Sequence, residues 1–411
     1  MRWAGLTIAM FLAVTGLGCA TTVGSLHDDP GDNGEKPDGE IALKQQLDEL
    51  SAEAEAWIQL VALDIPDNQD SLAVVSFPDA AQPLSLRTYL YDQALALLWF
   101  SWNGDEATAR ALAQTLVHLQ QDDGSWSFSF QPQNGVVDDE EYVRTGAVAW
   151  AGWALAYHAA TTDNEEAKQA AARARDFVED NRVDAPDSII DGLYTAGRGY
   201  HDPETGQRTP NVPVQFVSTE HQFDVHMLLR AFDDTAALAL EQRVMDVLWM
   251  NDQNRFAMGT DARRLDQTRA LDAAGSWGAL WLLSVDRLQT AHRSLQYTLE
   301  SFPADDAEIT GGFMPYLDEV DGMKPNQELI FVEGSLGVAL AALRLDNPPV
   351  AHQVLEMVTQ LTDGTDGGVP YANLTTGDFT EDAAAAPTLW FLMLHREMTT
   401  GQQAPLFPVP S

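Results

Sequence analysis

Within "FVSTEHQFDVHMLLRAF" (216–232), four side chains able to hold or move a proton stand close together: Glu220, His221, Asp224 and His226. Glu220 and Asp224 are one helical turn apart and so share a face. The residues that follow turn apolar, as in a helix that is buried. Carboxyl groups beside imidazoles are the material of general acid–base catalysis or of metal binding. The pattern disfavours a metal: neither H-E-x-x-H nor an EF-hand loop occurs, and Asp138, Asp139 and Glu140 read as a solvated acidic loop rather than calcium ligands. No phosphate-cradling Gly-rich loop follows a strand, and no Cys or G-x-S-x-G nucleophile appears. Neither covalent acyl chemistry nor a cofactor is therefore expected.

The elements that must carry these residues are helices of two kinds. One kind is apolar nearly all round: 89–102, 144–158, 220–232, 272–284, 332–345 and 381–395. Such helices must be enclosed by others. The second kind has one charged face: 42–63, 105–121, 164–180, 235–250, 286–302 and 349–361. The two kinds alternate strictly, and almost no strand-like alternation interrupts them. Connections from an apolar helix to the next amphipathic one are short, which makes the pair antiparallel. The return connections are long and rich in Gly, Asp and aromatics. Six such hairpins close most simply into an all-α (α/α)6 toroid, an inner ring of parallel helices within an outer ring.

In that arrangement every inner helix starts at the same end. Asp92, Arg144, Glu220, Asp272, Glu333 and Asp382 then meet at one rim, although they are far apart in the chain. The long loops above them repeat a Gly-then-aromatic pattern, in "DDGSWSF", "DGLYTAGRGYH", "GGFMPY" and "DGGVPY". Trp126, Tyr316 and Tyr371 in these loops, with Trp277 inside its helix, are candidate platforms for the apolar faces of sugar rings. For Trp277, inside a helix, core wall is the favoured reading. Cleaving a glycosidic bond needs one protonated and one ionised carboxyl group. A crowd of acids at the top of an apolar barrel drives such groups apart in pKa. Structural roles compete with these assignments. Thr219 to Gln222 fits a capping box, Asp92 and Asp272 could serve the first turns of their helices, and Arg144 could pair with Glu333.

The blocks "TYLYDQALA", "STEHQFD", "LDAAGSWG" and "FVEGSLG" are similar to blocks of bacterial secreted members of the six-hairpin glycosidase-like superfamily. Those blocks read approximately YD-x-A-L-A, S-T-E-H-N-x-D, L-D…W-G and W-x-E-G. The likeness spans about residues 85 to 395. It implies the toroid and carbohydrate chemistry, and it marks Tyr91, Asp92, Glu220, His221, Asp224, Asp272, Trp277, Glu333 and Gly334. Gln222 stands where Asn is usual, and Phe331–Val332 replace an aromatic directly before the Glu.

The chain opens "MRWAGLTIAMFLAVTGLGCATT", one Arg before an apolar run and small residues, which reads as a secretory signal over 1–18. Cys19, the only cysteine, sits where a lipoprotein signal would be cut and lipidated. Residues 19–41 read as a disordered acidic tether, 42–400 as the toroid and 401–411 as a C-terminal tail. A formal charge of −39 repels phosphate backbones, so no nucleic-acid partner is expected. The expectation is an exported, lipid-anchored monomer of the cell envelope with a carbohydrate substrate and no other attachment to the membrane. Its chemistry is expected to be glycoside hydrolysis, with Glu220 as acid, Glu333 or Asp272 as base, and inversion at the anomeric carbon. Tyr91, Asp92, Trp126, Arg144, His221, Asp224, Trp277, Tyr316 and Tyr371 would hold the sugar. The alternatives are a glycan-binding envelope lipoprotein without catalysis, or a lyase or epimerase using His221, Tyr142 and Arg144.

Overall fold

A computed structural model describes residues 38–409 except 67–69, 83, 133–135, 138–141, 202–207, 233, 321–323 and 378. Cys19, the signal, nearly all of the tether and the 138–140 loop lie outside the described residues. The chain begins with α1 (Asp38–Val61), followed by α2 (Leu90–Asn103) and α3 (Glu106–Leu119). Then come α4 (Thr145–Thr162), α5 (Glu165–Asp180), α6 (Thr219–Arg230) and α7 (Asp234–Val247). A broken helix, α8 (Leu271–Ala274) and α9 (Trp277–Ser284), precedes α10 (Leu288–Ser301). Last are α11 (Val332–Arg344), α12 (Pro348–Leu361) and α13 (Ala385–Thr400).

The helices apolar on all sides form the inner ring. α2 packs on α4, α4 on α6, α6 on α9, α9 on α11, α11 on α13, and α13 again on α2. Each outer helix lies against its inner partner, and α1 closes the outer layer on α12 and α13. This is the (α/α)6 toroid. Its inner helices bury almost every side chain, whereas α5, α10 and α12 bury one stripe each. Four of the short inner-to-outer turns pivot on a residue with positive φ: Gly104, Asp163, Asp286 and Asp346. Asp tolerates that region because its short side chain can bond locally. Two of the outer helices that follow are capped by side chains, Asp105 on Thr108 N–H and Asn164 on Ala167 N–H.

Three features depart from the reading of the sequence. The long loops carry two- and three-stranded antiparallel sheets at the mouth of the barrel, with strands of two to seven residues. Most are too short for a period of two to show in the sequence. The last inner helix starts at Ala385 rather than 381, so Asp382 stays in a loop with its carboxylate on the Thr380 hydroxyl at 2.6 Å. The fourth inner helix is interrupted at Gly275–Ser276.

The segment beyond residue 400 lies across the end of the barrel opposite the mouth. Ala404, Leu406 and Phe407 are fully buried. Arg344, in the last turn of α11, donates to the carbonyls of Ala404, Leu406 and Phe407 and pairs with Glu397 at 2.8 Å. Trp153 donates to Pro405 O at 3.0 Å. Phe407 reaches the ring of Trp150 from below, with centroids 5.8 Å apart.

Candidate active site

The mouth narrows to a cleft of about 600 Å³, counting the open water at its entrance. Each wall comes from the first turns of an inner helix or from the loop leading into it. α2 supplies Tyr91; α4, with its N-cap Arg144, adds Ala147 and Trp150; α6 supplies Glu220, His221 and Asp224. Asp272 comes from α8, Trp277 from α9 and Glu333 from α11, while Phe128, Phe331 and Tyr371 lie on loops. None of the six inner helices has a side-chain cap at its N-terminus. Their partial positive ends therefore face the acids at the mouth.

The capping box at the start of α6 does not form. Thr219 donates instead to Ala257 O at 2.6 Å. Gln222 accepts from Tyr194 N–H and donates to Tyr194 O and Ser218 O. It clamps the preceding loop to α6 and leaves the Glu220 side chain uncommitted at that end.

The acids are not alike. Glu220 is partly open to the cleft, whereas Asp224, Asp272 and Glu333 are at most 5% exposed. Glu220 and Asp272 are hydrogen-bonded to one another. Burial, followed by the proximity of Asp272, holds Glu220 well above the usual carboxylate range. Burial also raises Asp272, against the hydrogen bonds from Glu220 and from Ala273 N–H at 2.9 Å. Two carboxyls in contact share a single proton. That proton belongs to the pair, of which Glu220 is the member open to the cleft.

Glu333 receives the Tyr91 hydroxyl at 2.7 Å, and that oxygen accepts the Trp390 indole N–H at 2.8 Å. Burial pushes Glu333 up to about 8 against the Tyr91 bond, helped by Asp92 and Asp272. Burial raises Asp224 well above its usual range, and the Trp150 indole, hydrogen-bonded to it, works the other way. His221 is driven down to about 3, first by burial and then by Arg144, so its ring is neutral. His221 Nδ1 and Asp224 Oδ1 find no partner among the described residues. Gly146 is what admits both: a Cβ there would stand 2.4 Å from His221 Cδ2 and 2.6 Å from Asp224 Oδ2.

Of the residues marked in the sequence, Tyr91, Arg144, Glu220, His221, Asp224, Asp272, Trp277, Glu333 and Tyr371 line the cleft. Asp92, Trp126 and Tyr316 are not among its lining. Asp92 is buried beside it, hydrogen-bonded by Ser76 and raised to about 7 by burial. Trp126 is 2% exposed, with its indole on Leu116 O at 2.7 Å, so it holds a loop to an outer helix and offers no face to a ligand. Tyr316 is buried, and its backbone bridges Ala270 ahead of α8. Arg144 pairs with no carboxylate among the described residues. One guanidinium nitrogen donates to the carbonyls of Val143, Arg198 and Gly199, and the group stacks 3.8 Å above Tyr142. Tyr142, raised to about 12 by burial, is not among the residues lining the cleft. Trp150, Phe128 and Phe331 were missed. Trp150 is six residues beyond Arg144, within one of the most apolar stretches, where nothing distinguishes a wall from a core residue. Among the described residues no group of three or more His, Cys, Asp or Glu is arranged to hold a metal.

The (α/α)6 toroid is a fold this chain shares with solved structures at 12–14% sequence identity. Solved structures similar to this chain include a sugar epimerase from a ruminal bacterium, with a TM-score of 0.67 and 12% identity over 88% of this chain and 100% of that one. A D-mannose isomerase matches with a TM-score of 0.64 and 13% identity over 88% of this chain and 99% of the other. A glycosidase in complex with glucose matches with a TM-score of 0.59 and 14% identity, over 88% and 97%. At such identities the likeness defines the fold. No protein-family profile matches the chain, and no curated protein matches it in sequence.

Proposed function

We propose that the protein is a glycoside hydrolase. The observation that carries this reading is the Glu220–Asp272 pair sharing one proton, in a cleft that Glu333 also lines. Glu220, the more open of the two, gives the shared proton to the glycosidic oxygen as the bond breaks, which ends its hydrogen bond to Asp272. Asp272 is committed to that pair, so the base is Glu333, which in its ionised form takes a proton from a water as the oxygen of that water bonds to the anomeric carbon with inversion. Tyr91 steadies the Glu333 carboxylate as it forms. Trp277, Tyr371 and Trp150 offer aromatic surface to the ring. Solved glycosidases and sugar epimerases on the same fold support a carbohydrate ligand. Export and lipid attachment at Cys19 belong to the same proposal and rest on the N-terminal sequence. Cys19→Ser should then move the full chain from the membrane fraction to the soluble one.

The test is release of reducing sugar across a broad glycan panel, by the parent and by Glu220→Gln. Release by the parent, and its loss in a folded Glu220→Gln, is the expected result. A glycan that raises the melting temperature without being cut would make the site a binding module. One observation favours a second reading, sugar epimerisation or isomerisation: His221 stands neutral on the cleft beside Asp224, able to take a proton next to a carbonyl. Incubating free aldoses with the protein in D₂O separates the two, because only that reaction puts deuterium on the sugar carbon.

A further inference from the structure

The break in the fourth inner helix falls between the two cleft residues which that helix carries. α8 ends at Ala274, Gly275 and Ser276 leave the helical path, with Ser276 at φ −87° and ψ −86°, and α9 starts at Trp277. In an unbroken helix positions 272 and 277 would be rotated by about 140° from one another. Here both line the cleft. The kink is held from two sides. On the outer side, Ser294 of α10 donates to the carbonyl of Ala274 at 2.5 Å, and a Cβ on Gly275 would fall 1.3 Å from Thr298 Oγ1. On the inner side, Ser276 Oγ donates at 3.0 Å to the carbonyl of Gly334, the residue after Glu333. Gly337, one turn further along α11, leaves room for that hydroxyl: a Cβ there would stand 2.0 Å from Ser276 Oγ and 3.4 Å from Ser276 Cβ.

Kinks in helices have local causes, here a Gly–Ser pair whose freed groups are taken up by neighbouring helices. Nothing in the packing of an ordinary barrel requires the bond from Ser276 to the turn that bears Glu333. We propose that Ser276 is a positioning residue: its hydroxyl ties the kink to α11 and so sets the reach between the Asp272–Glu220 pair and Glu333. The proposal rests on the hydrolase reading for its consequence, and on the geometry of the kink for its substance.

The test compares the parent with Ser276→Ala, Gly337→Ala and the double variant. Sugar release across pH, thermal unfolding, and ¹³C titration of the side-chain carboxyls are read for each. Ser276→Ala should stay folded, lose about tenfold or more in kcat with a smaller change in KM, and shift the limbs of the pH profile, because small displacements of reacting groups cost about that much. Gly337→Ala evicts the same hydroxyl and should reproduce the shifted profile. Combining the two should add little in kcat, since both remove one bond. A Ser276→Ala variant that melts lower but keeps the parental kcat and profile shape overturns the proposal. If the parent releases no sugar, the hydrolase reading fails, and the titrations decide alone. Carboxyl titrations moved by Ser276→Ala then uphold the positioning role, and unmoved ones overturn it.

Discussion

Glu333→Gln is expected to make the protein more stable at alkaline pH while removing its chemistry. The ordinary value for Glu333 is 4.5, and burial places it at about 8 in the fold. Below 4.5 both folded and unfolded chains hold this proton, and the site's contribution to stability is complete. Between 4.5 and about 8 the folded chain holds the proton and the unfolded chain does not, so stability falls by about 1.4 kcal/mol per pH unit. Above about 8 the loss is finished. Over that span of about 3.5 units it amounts to about 5 kcal/mol from Glu333 alone. Asp92, raised from 3.8 to about 7, adds a loss of about 4 kcal/mol with the same sign. Glutamine keeps the shape, leaves an acceptor for the Tyr91 hydroxyl and removes the titration. Urea unfolding at pH 5, 6.5 and 8.5 should therefore show parent and variant nearly equal at pH 5 and diverging above it. At the top of the range the variant should lead by up to about 5 kcal/mol. Self-repulsion from a charge of −39 also weakens the fold as pH rises, but both proteins share it, so the difference isolates the site. A variant that tracks the parent's pH slope, or is the weaker of the two at pH 8.5, would show that Glu333 is already ionised in the fold. The upward shift that burial is held to impose on Glu333 would then fail, and with it the reasoning that makes the site destabilising at alkaline pH.

Gly146→Ala should cost about 1–3 kcal/mol by overpacking and remove sugar release, because the new methyl enters the space of His221 and Asp224. Thermal melts alongside activity per folded molecule check it, and full activity in the variant would contradict the close approach. Phe407→Ala should cost about 3–5 kcal/mol in urea unfolding, since the ring is fully buried under Trp150. A change within error would mean that the C-terminal segment is not part of the core.

The ring of hairpins was legible because burial leaves a mark on composition. "RTGAVAWAGWALAYH" has no polar face, so it needs neighbours on every side, whereas "NEEAKQAAARARDFVED" keeps one face for water. The rim followed from topology, because inner helices that run in parallel must begin together. The break at Gly275–Ser276 was not legible. "AAGSWGALW" keeps its apolar character through the kink, and the groups that hold it, the Gly334 carbonyl that accepts from the Ser276 hydroxyl and the Ser294 hydroxyl of α10, lie far along the chain or on another helix. Trp126 was marked for the cleft and Trp150 was not marked at all, for the same reason. A loop tryptophan and a helix tryptophan differ in sequence by their surroundings, and which one meets the cleft depends on what packs behind it.

By itself, then, the sequence determined the number and kind of helices, their alternation, and the end of the barrel at which Glu220, Asp272 and Glu333 gather. Periodicity states which face of a helix is buried, and connection length states which way the next helix runs. Only the tertiary structure decided that Glu220 and Asp272 touch and share a proton, that Glu333 answers to Tyr91, and that the final residues close the far end of the barrel. Those facts depend on how far each helix is rotated and slid against its neighbours. That registration is fixed by close packing of side chains distant in the chain, and no local pattern encodes it.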